Sequence, residues 1–489
     1  MRNLSRHARF TIIAITILAI LISSFALYRY QKIRLFDKTK YKELYSNLEL
    51  EGEQFDKQSD LRDYITHWAD QNDLKYKLDS SDNIIFQRKA SARKKNVTPT
   101  TIMVNYNYEN AVDNRRVLAA AAMLALTEVD SGKSTVIFMN NEKNDGSAYA
   151  ALDPSFISNK TKVIYLDYGK QAYISKRSFA QVDEQVIVPT EKEDISCDTA
   201  INIRIGGLKS DVIDAGISKH PNPISYFSTI LTRLKTKSTI SQIADIKVQN
   251  KGHMYPSGIE FTVLLNSYAL NGFTSYLDKR VESFEKANSE DNPECYYEYE
   301  VLDEDSEKYP TSAYTKESFD KLTTVLYALK SGTYRYDEDE EVPDGYNNQA
   351  IYGITCVRQL TASDDNITID LSSQAMNSKK MSELTHDNAA AAELAECSIV
   401  KQNEYKSFKN KKTGLVRTLK TTYFKVNDIT GTDVTLNELH DTYFTPMTFI
   451  SKINSKADIV HVKYSSKTAS ILTNMLLCYL ETKGNFLSL

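Results

Sequence analysis

The spacing of hydrophobic positions changes several times along this chain, and each change predicts a different element. Phe10 to Tyr28 is an apolar run without a charge, bounded by Arg9 and Arg29. At 1.5 Å per helical residue it extends about 28 Å, one bilayer hydrocarbon core. Between Tyr41 and Asp73 the apolar positions recur at helical spacing and predict one or two helices. Residues 84–86, 101–104, 135–139 and 162–166 read as short buried strands, and the Ala/Leu-rich stretch 116–127 reads as a helix. Strands that alternate with helices predict a mostly parallel α/β sheet.

Near Cys197 the pattern changes. Residues 200–205 alternate, Gly206 and Gly207 break the run, 223–234 is helical, and 259–265 alternates again. This predicts a separate α+β domain. Its acid-rich stretches, 296–305 and 337–341, read as solvated loops, and they lack the alternating ligand pattern of a Ca²⁺ loop. Residues 367–371 return to strand. Residues 459–480 read as a strand followed by a helix that packs back on the α/β domain.

The charge pattern at the N-terminus bears on the first run. Arg2, Arg6 and Arg9 precede it, which marks a membrane or export signal. A cleaved signal peptide would use the small residues Ser24 and Ala26. The run reaches full span length, so a retained, single-pass signal anchor is the preferred reading. Arg29, Lys32, Arg34, Lys38 and Lys40 follow the run, so the positive-inside rule does not orient it alone. The short basic tail fits a cytoplasmic N-terminus and an extracytoplasmic body.

Sixty basic and 64 acidic residues give a net charge of −4, so no global positive field favours nucleic acid. The five cysteines are scattered without a CxxC pair, which argues against a cysteine zinc site. Only seven histidines occur.

No local motif is strong alone, but the order of several segments resembles the M20 family of metallopeptidases, in its aminoacyl-histidine (Xaa-His) dipeptidase branch. Asp113-Asn114 sits where the family has an aspartate that bridges two zinc ions. Phe138 to Glu142 (FMNNE) resembles the segment that carries the general base, here Glu142, with the next ligand position at Lys143. Asp167 matches a zinc-binding aspartate. Gly207-Leu208-Lys209, His220 to Pro223, and Ser372-Ser373-Gln374 resemble lid segments, with Asn222 in a substrate-contacting position. Asn454 to Val462 resembles the segment whose first residue is a zinc ligand, and His440 precedes a stretch that supplies another active-site histidine.

The resemblance implies a phosphorylase/hydrolase-like α/β zinc-peptidase domain with an inserted α+β lid of the dimerisation type, after one N-terminal transmembrane helix. The expected boundaries are a basic tail at 1–9, the anchor at 10–28, a linker at 29–45, the peptidase-like domain at 46–198 and 406–489, and the lid at 199–405. A homodimer through the lid is a further implication.

The departures from the family pattern concern the metal site. The first-strand HxD is replaced by Asn105-Tyr106-Asn107, the second glutamate by Lys143, the terminal histidine by Asn454 and the lid histidine by Val212. Asp113 and Asp167 remain as vestigial ligands, too few for two zinc ions, and Glu142 as a vestigial base. Asp113, Asp167 and Glu142 can equally be an N-cap, a strand-end turn and a neighbour of Lys143. His461 reads as a sheet histidine, and His253 and His386 as lid residues. The expected protein is therefore a membrane-anchored, catalytically inactive M20-like protein that holds no cofactor and binds peptides or a protein partner. The alternatives are an active dipeptidase or amidohydrolase with a divalent metal such as Zn²⁺ in an altered site, and a purely structural envelope component.

Overall fold

The structure, a computed structural model, describes residues 14–23, 35–143, 146–169, 171–209, 221–237, 240–250, 255–329, 331–336, 350–431, 436–438 and 443–482. The chain forms two compact units: Met1–Lys176 with Asn410–Leu439 and Phe449–Leu489, and Arg177–Lys409 with His440–Thr448.

Unit 1 is built on an eight-stranded sheet. Its first strands are β1 (Tyr76–Leu78), β2 (Ile84–Arg88), β3 (Thr100–Tyr106), β4 (Ser134–Asn140), β5 (Lys162–Tyr168) and β6 (Tyr173–Ser175). The C-terminal strand, Asp458–Tyr464, lies between β5 and β6, and Asn437–Glu438 closes the far edge beyond β6. The centre is parallel: β4 with β3, β3 with β5, and β5 with the C-terminal strand. β1 and β2 add antiparallel pairings at one side. These central strands are nearly continuous apolar runs because helices cover the sheet. Ile102, Val104, Ile164, Leu166, Val460 and Val462 are all at most 1% exposed.

Helices Lys38–Glu51, Ala111–Leu126, Gly414–Thr430 and Ala469–Thr482 share this core. Four consecutive buried alanines, Ala119 to Ala122, let the second of these helices sit close to the sheet. The expected return of the final helix onto the α/β domain is observed, with Leu472, Met475 and Leu476 fully buried.

Unit 2 contains two larger antiparallel sheets and two short two-stranded ones. Of the larger two, one has the order Ser241–Gln249, Gly258–Leu265, Thr199–Gly206, Tyr296–Leu302. The other has the order Gly332–Arg335, Ile351–Ala362, Asn366–Ala375, Ala180–Pro189, Ser398–Tyr405. Helices Pro223–Thr236, Lys316–Ala328 and Ser378–Leu394 contribute to a common core around Phe227, Phe261 and Val325. Residues 177–198, assigned above to the peptidase-like domain, cluster with this unit because Ala180–Pro189 pairs with both neighbouring strands.

One expectation is corrected. The Tyr/Glu-rich stretch from 296 is an edge strand rather than a loop, antiparallel to Thr199–Gly206. Tyr297 and Leu302 are buried, and Glu298 and Glu300 face solvent, where Glu298 meets Arg204 at 3.0 Å. Charge density misled, because alternation at a period of two makes acidic residues compatible with one wet face of a strand. The second acidic stretch, 337–341, lies outside the described residues.

Of the expected anchor, only 14–23 is described. It is helical, and Ile15, Ile17, Leu18, Ile20, Leu21 and Ile22 are each more than half exposed. Among the described residues no helix is long and apolar enough to cross a membrane.

Candidate functional site

Parallel pairing brings the C-terminal ends of β3, β4, β5 and the C-terminal strand to one edge of the unit 1 sheet. Period-two alternation then divides the side chains at that edge between two faces. Tyr106 follows Ile102 and Val104 onto the helix-covered face, while Asn105, Asp167, His461 and Lys463 fall on the other.

On the first face Tyr106 is fully buried, and its hydroxyl donates to the carbonyl of Asp82 at 2.6 Å. Burial pushes its phenol well above the ordinary range. Gln58 fastens the corner: its Nε2 donates to the Tyr106 carbonyl and to Asn140 Oδ1, and its Oε1 accepts from the Tyr108 amide. A cavity of about 230 Å³ opens here, lined by Lys57, Gln58, Arg62, Asp82, Tyr106 and Glu142, among others. Arg62 lies 3.3 Å from Asp82 at its wall. Glu142 is exposed, and its amide donates to Asn140 Oδ1 at 3.2 Å.

On the second face Asp167 pairs in register with Lys463 on the neighbouring strand. The Lys463 ammonium is 3.7 Å from Asp167 Oδ2 and 5.8 Å from the Tyr173 ring centre. Gly169 leaves room for the lysine stem, since a Cβ there would run into Lys463 Cε. His461 Nε2 lies 3.5 Å from the same Asp167 oxygen. The imidazole is fully buried between Tyr165 and Tyr173, with ring centres 5.2 and 5.3 Å away, and neither ring nitrogen has a hydrogen-bond partner. The Tyr149 hydroxyl donates to Asn105 Oδ1 beside this group.

Burial raises the Asp167 carboxyl, but Lys463 and His461 outweigh it and bring the pKa to about 2. His461 is shifted below its ordinary value, first by burial and then by Lys463, against the pull of Asp167. Its imidazole is therefore neutral at pH 7. As pH falls through about 6.5, the unfolded chain takes up a proton that the buried ring resists, so acid costs stability. The urea midpoint is expected to drop between pH 7 and pH 5, and to drop less in His461→Phe, which keeps the aromatic packing. An equal drop in both proteins would refute a role for His461 in this acid response.

The other expected site residues do not all join these groups. Asp113 is an exposed carboxylate in the first turn of the Ala111–Leu126 helix, and Lys143 is exposed after β4. Asn454 sits at the opposite edge of the sheet. Its Nδ2 donates to the Ile157 carbonyl ahead of β5, and its Oδ1 accepts from the Lys456 amide ahead of the C-terminal strand. It is a turn residue. Asn222, in unit 2, caps the Pro223–Thr236 helix through Ile224 N and donates to the Val357 carbonyl. His386 is exposed on the Ser378–Leu394 helix, while His440, His253 and Val212 lie outside the described residues. The partner of Asp167 that residue-by-residue reading missed, Lys463, follows from strand register once β5 and the C-terminal strand are aligned.

The donors at this end of the sheet differ from those the implied zinc pair requires. Asp167 is already neutralised by an ammonium, and Asn105 and Tyr106 offer an amide and a buried phenol in place of imidazole. Among the described residues, no three His, Cys, Asp or Glu side chains gather closely enough to hold a metal ion. Among the described residues, this donor set does not fit a dinuclear centre.

No family model matches the chain, and no curated protein matches it in sequence. Solved structures do match. Aminoacylhistidine dipeptidase from Vibrio alginolyticus aligns over 92% of this chain and 98% of its own, with 12% identity and a TM-score of 0.56. Aminopeptidase PepT from Bacillus cereus aligns over 91% and 98% at 10% identity, with a TM-score of 0.45. A dinuclear metal-binding peptidase of the M20 family from Bacillus subtilis aligns over 91% and 98% at 8% identity, with a TM-score of 0.37.

The class is thus an α/β fold of the M20 peptidase type. Within that class, this chain shares the fold of aminoacylhistidine dipeptidase along nearly its whole length, and at 12% identity the likeness concerns fold alone.

Proposed function

We propose that this chain is a membrane-anchored protein of M20 peptidase fold that has lost metal-dependent peptide hydrolysis and binds a peptide or protein partner. The Asp167–Lys463 pair carries the reading. In the family the resemblance points to, this aspartate serves a metal ion. Here a covalently attached cation meets the same carboxylate, and a resident ammonium opposes a divalent ion by charge. The polar cavity beside Tyr106, with Arg62 and Glu142 on its walls, supplies fixed charges of both signs suited to a peptide. The apolar run 10–28 tethers the body to the membrane, with the body on the extracytoplasmic side.

The test is metal content of the purified full chain together with dipeptide hydrolysis in added Zn²⁺, Mn²⁺ or Co²⁺. The expected result is substoichiometric metal and no turnover. Peptide-library titration should then give binders whose affinity falls at least tenfold in Arg62→Ala. Stoichiometric metal with turnover abolished by Glu142→Gln would overturn the reading in favour of an active metallodipeptidase.

A further inference from the structure

We propose that the outer face of the Gly414–Thr430 helix docks on an anionic lipid surface and so sets how the tethered body lies on its membrane. The inference rests on the anchor reading above and on three observations within unit 1.

The first is charge. Residues 410–425 contain five Lys or Arg and no Asp or Glu, in a chain whose net charge is −4. Lys411, Lys412 and Arg417 are exposed, and Arg417 and Lys420 line, with Lys176, an open cavity of about 280 Å³ along the helix. The N-terminal half of the helix also carries the positive end of its dipole.

The second is an apolar contact in the same place. Phe424 lines that cavity and is 64% exposed, although the buried face of the helix is well supplied by Leu415, Leu419, Tyr423 and Val426. Thr413, Arg417, Lys420 and Phe424 recur at helical spacing, so the basic groups and the aromatic ring share one face. An aromatic ring beside cations suits the headgroup level of a bilayer, where the ring enters the interface and the ammonium groups meet phosphates.

The third is the landing point of the tether. Phe36 is buried, and its amide donates to Asn474 Oδ1 on the Ala469–Thr482 helix. That helix packs directly against Gly414–Thr430. Neighbouring helices lie about 8–10 Å apart. Tyr28 and Phe36 are eight Cα steps apart, a reach of at most about 29 Å. A bilayer that holds residues 10–28 is therefore within reach of the basic face.

The test uses the full chain reconstituted in vesicles, with Trp68→Phe and Phe424→Trp so that one tryptophan reports on the face. Vesicles are phosphatidylcholine alone, or phosphatidylcholine with about one third phosphatidylglycerol, each carrying brominated acyl chains. Quenching is expected in the anionic vesicles only, with at least a tenfold loss of the effect in 0.5 M salt or in Lys411→Glu/Lys412→Glu/Arg417→Glu. Resistance to carbonate extraction reports on the anchor separately. A carbonate-resistant chain without quenching in anionic vesicles overturns the docking surface and leaves the anchor standing. If carbonate strips the chain, the anchor reading fails, and flotation decides the docking surface: salt-sensitive flotation with anionic vesicles that charge reversal abolishes upholds it, and absent flotation overturns it. Binding of this face to DNA or heparin without any lipid contact also overturns it.

Discussion

Replacing Lys162 by methionine is expected to destabilise unit 1 by about 3–5 kcal/mol, the cost of leaving a buried carboxylate without its counter-ion. Asp458 has a side chain only 2% exposed, and it stands directly opposite Lys162 across the parallel junction of β5 and the C-terminal strand. The ammonium of Lys162 meets one carboxylate oxygen, and Asn410 Nδ2 donates to the other at 2.8 Å. Asn410 is also the residue on which the chain re-enters unit 1, and the same amide reaches the Ile459 carbonyl at 2.7 Å. The substitution therefore strikes the seam that joins the chain's two distant halves. The only tryptophan, Trp68, lies in unit 1, so its fluorescence during urea unfolding reads the right structure. The double variant Lys162→Met/Asp458→Asn keeps an acceptor for Asn410 and buries no charge. It should recover most of the loss, and a double variant as unstable as the single would contradict the charge argument.

Gly207→Ala is expected to cost unit 2 about 3 kcal/mol or more. Gly207 has φ +69°, a left-handed conformation that alanine resists, and an added Cβ would collide with the main-chain carbonyl of Glu294. Neither obstacle is a flexible side chain that can swing aside. The glycine directs the chain out of Thr199–Gly206 so that the Leu208 amide reaches the Ser257 carbonyl and the Lys209 amide reaches Asn292 Oδ1. A thermal midpoint of unit 2 unchanged by the substitution would show that this exit relaxes freely.

The central strands were legible because burial on both faces leaves a plain mark, a run of Val, Ile and Leu between turn residues. The helix 111–126 was legible for the same reason, through its alanines. The strand at 296–302 was not, since its one buried tyrosine, Tyr297, stands among glutamates and half-buried tyrosines, and its paired strand lies almost a hundred residues away. The site was harder still. Residue type alone does not show that Asn454 is a turn residue ahead of the C-terminal strand, and register places it at the end of the sheet opposite Asp167. The same register brought Lys463 to Asp167, a juxtaposition decided by pairing between segments nearly 300 residues apart. Local spacing records propensity and burial, but it does not record which strand end faces which.

The position of the C-terminal strand also constrains how the molecule is made. An interior strand of the unit 1 sheet, flanked by β5 and β6, is made after every other described strand of that sheet. Until residues 458–464 emerge, nearly 300 residues after β5, that strand must hold an unpaired edge, and the core must wait for Leu472, Met475 and Leu476. Residues 177–409, by contrast, emerge as one block that contains every described strand of the unit 2 sheets. Vectorial synthesis thus favours the insert maturing before its host, and a nascent chain arrested ahead of Asp458 presents an open, apolar sheet edge. Such an edge is a substrate for holdase chaperones and a template for aggregation.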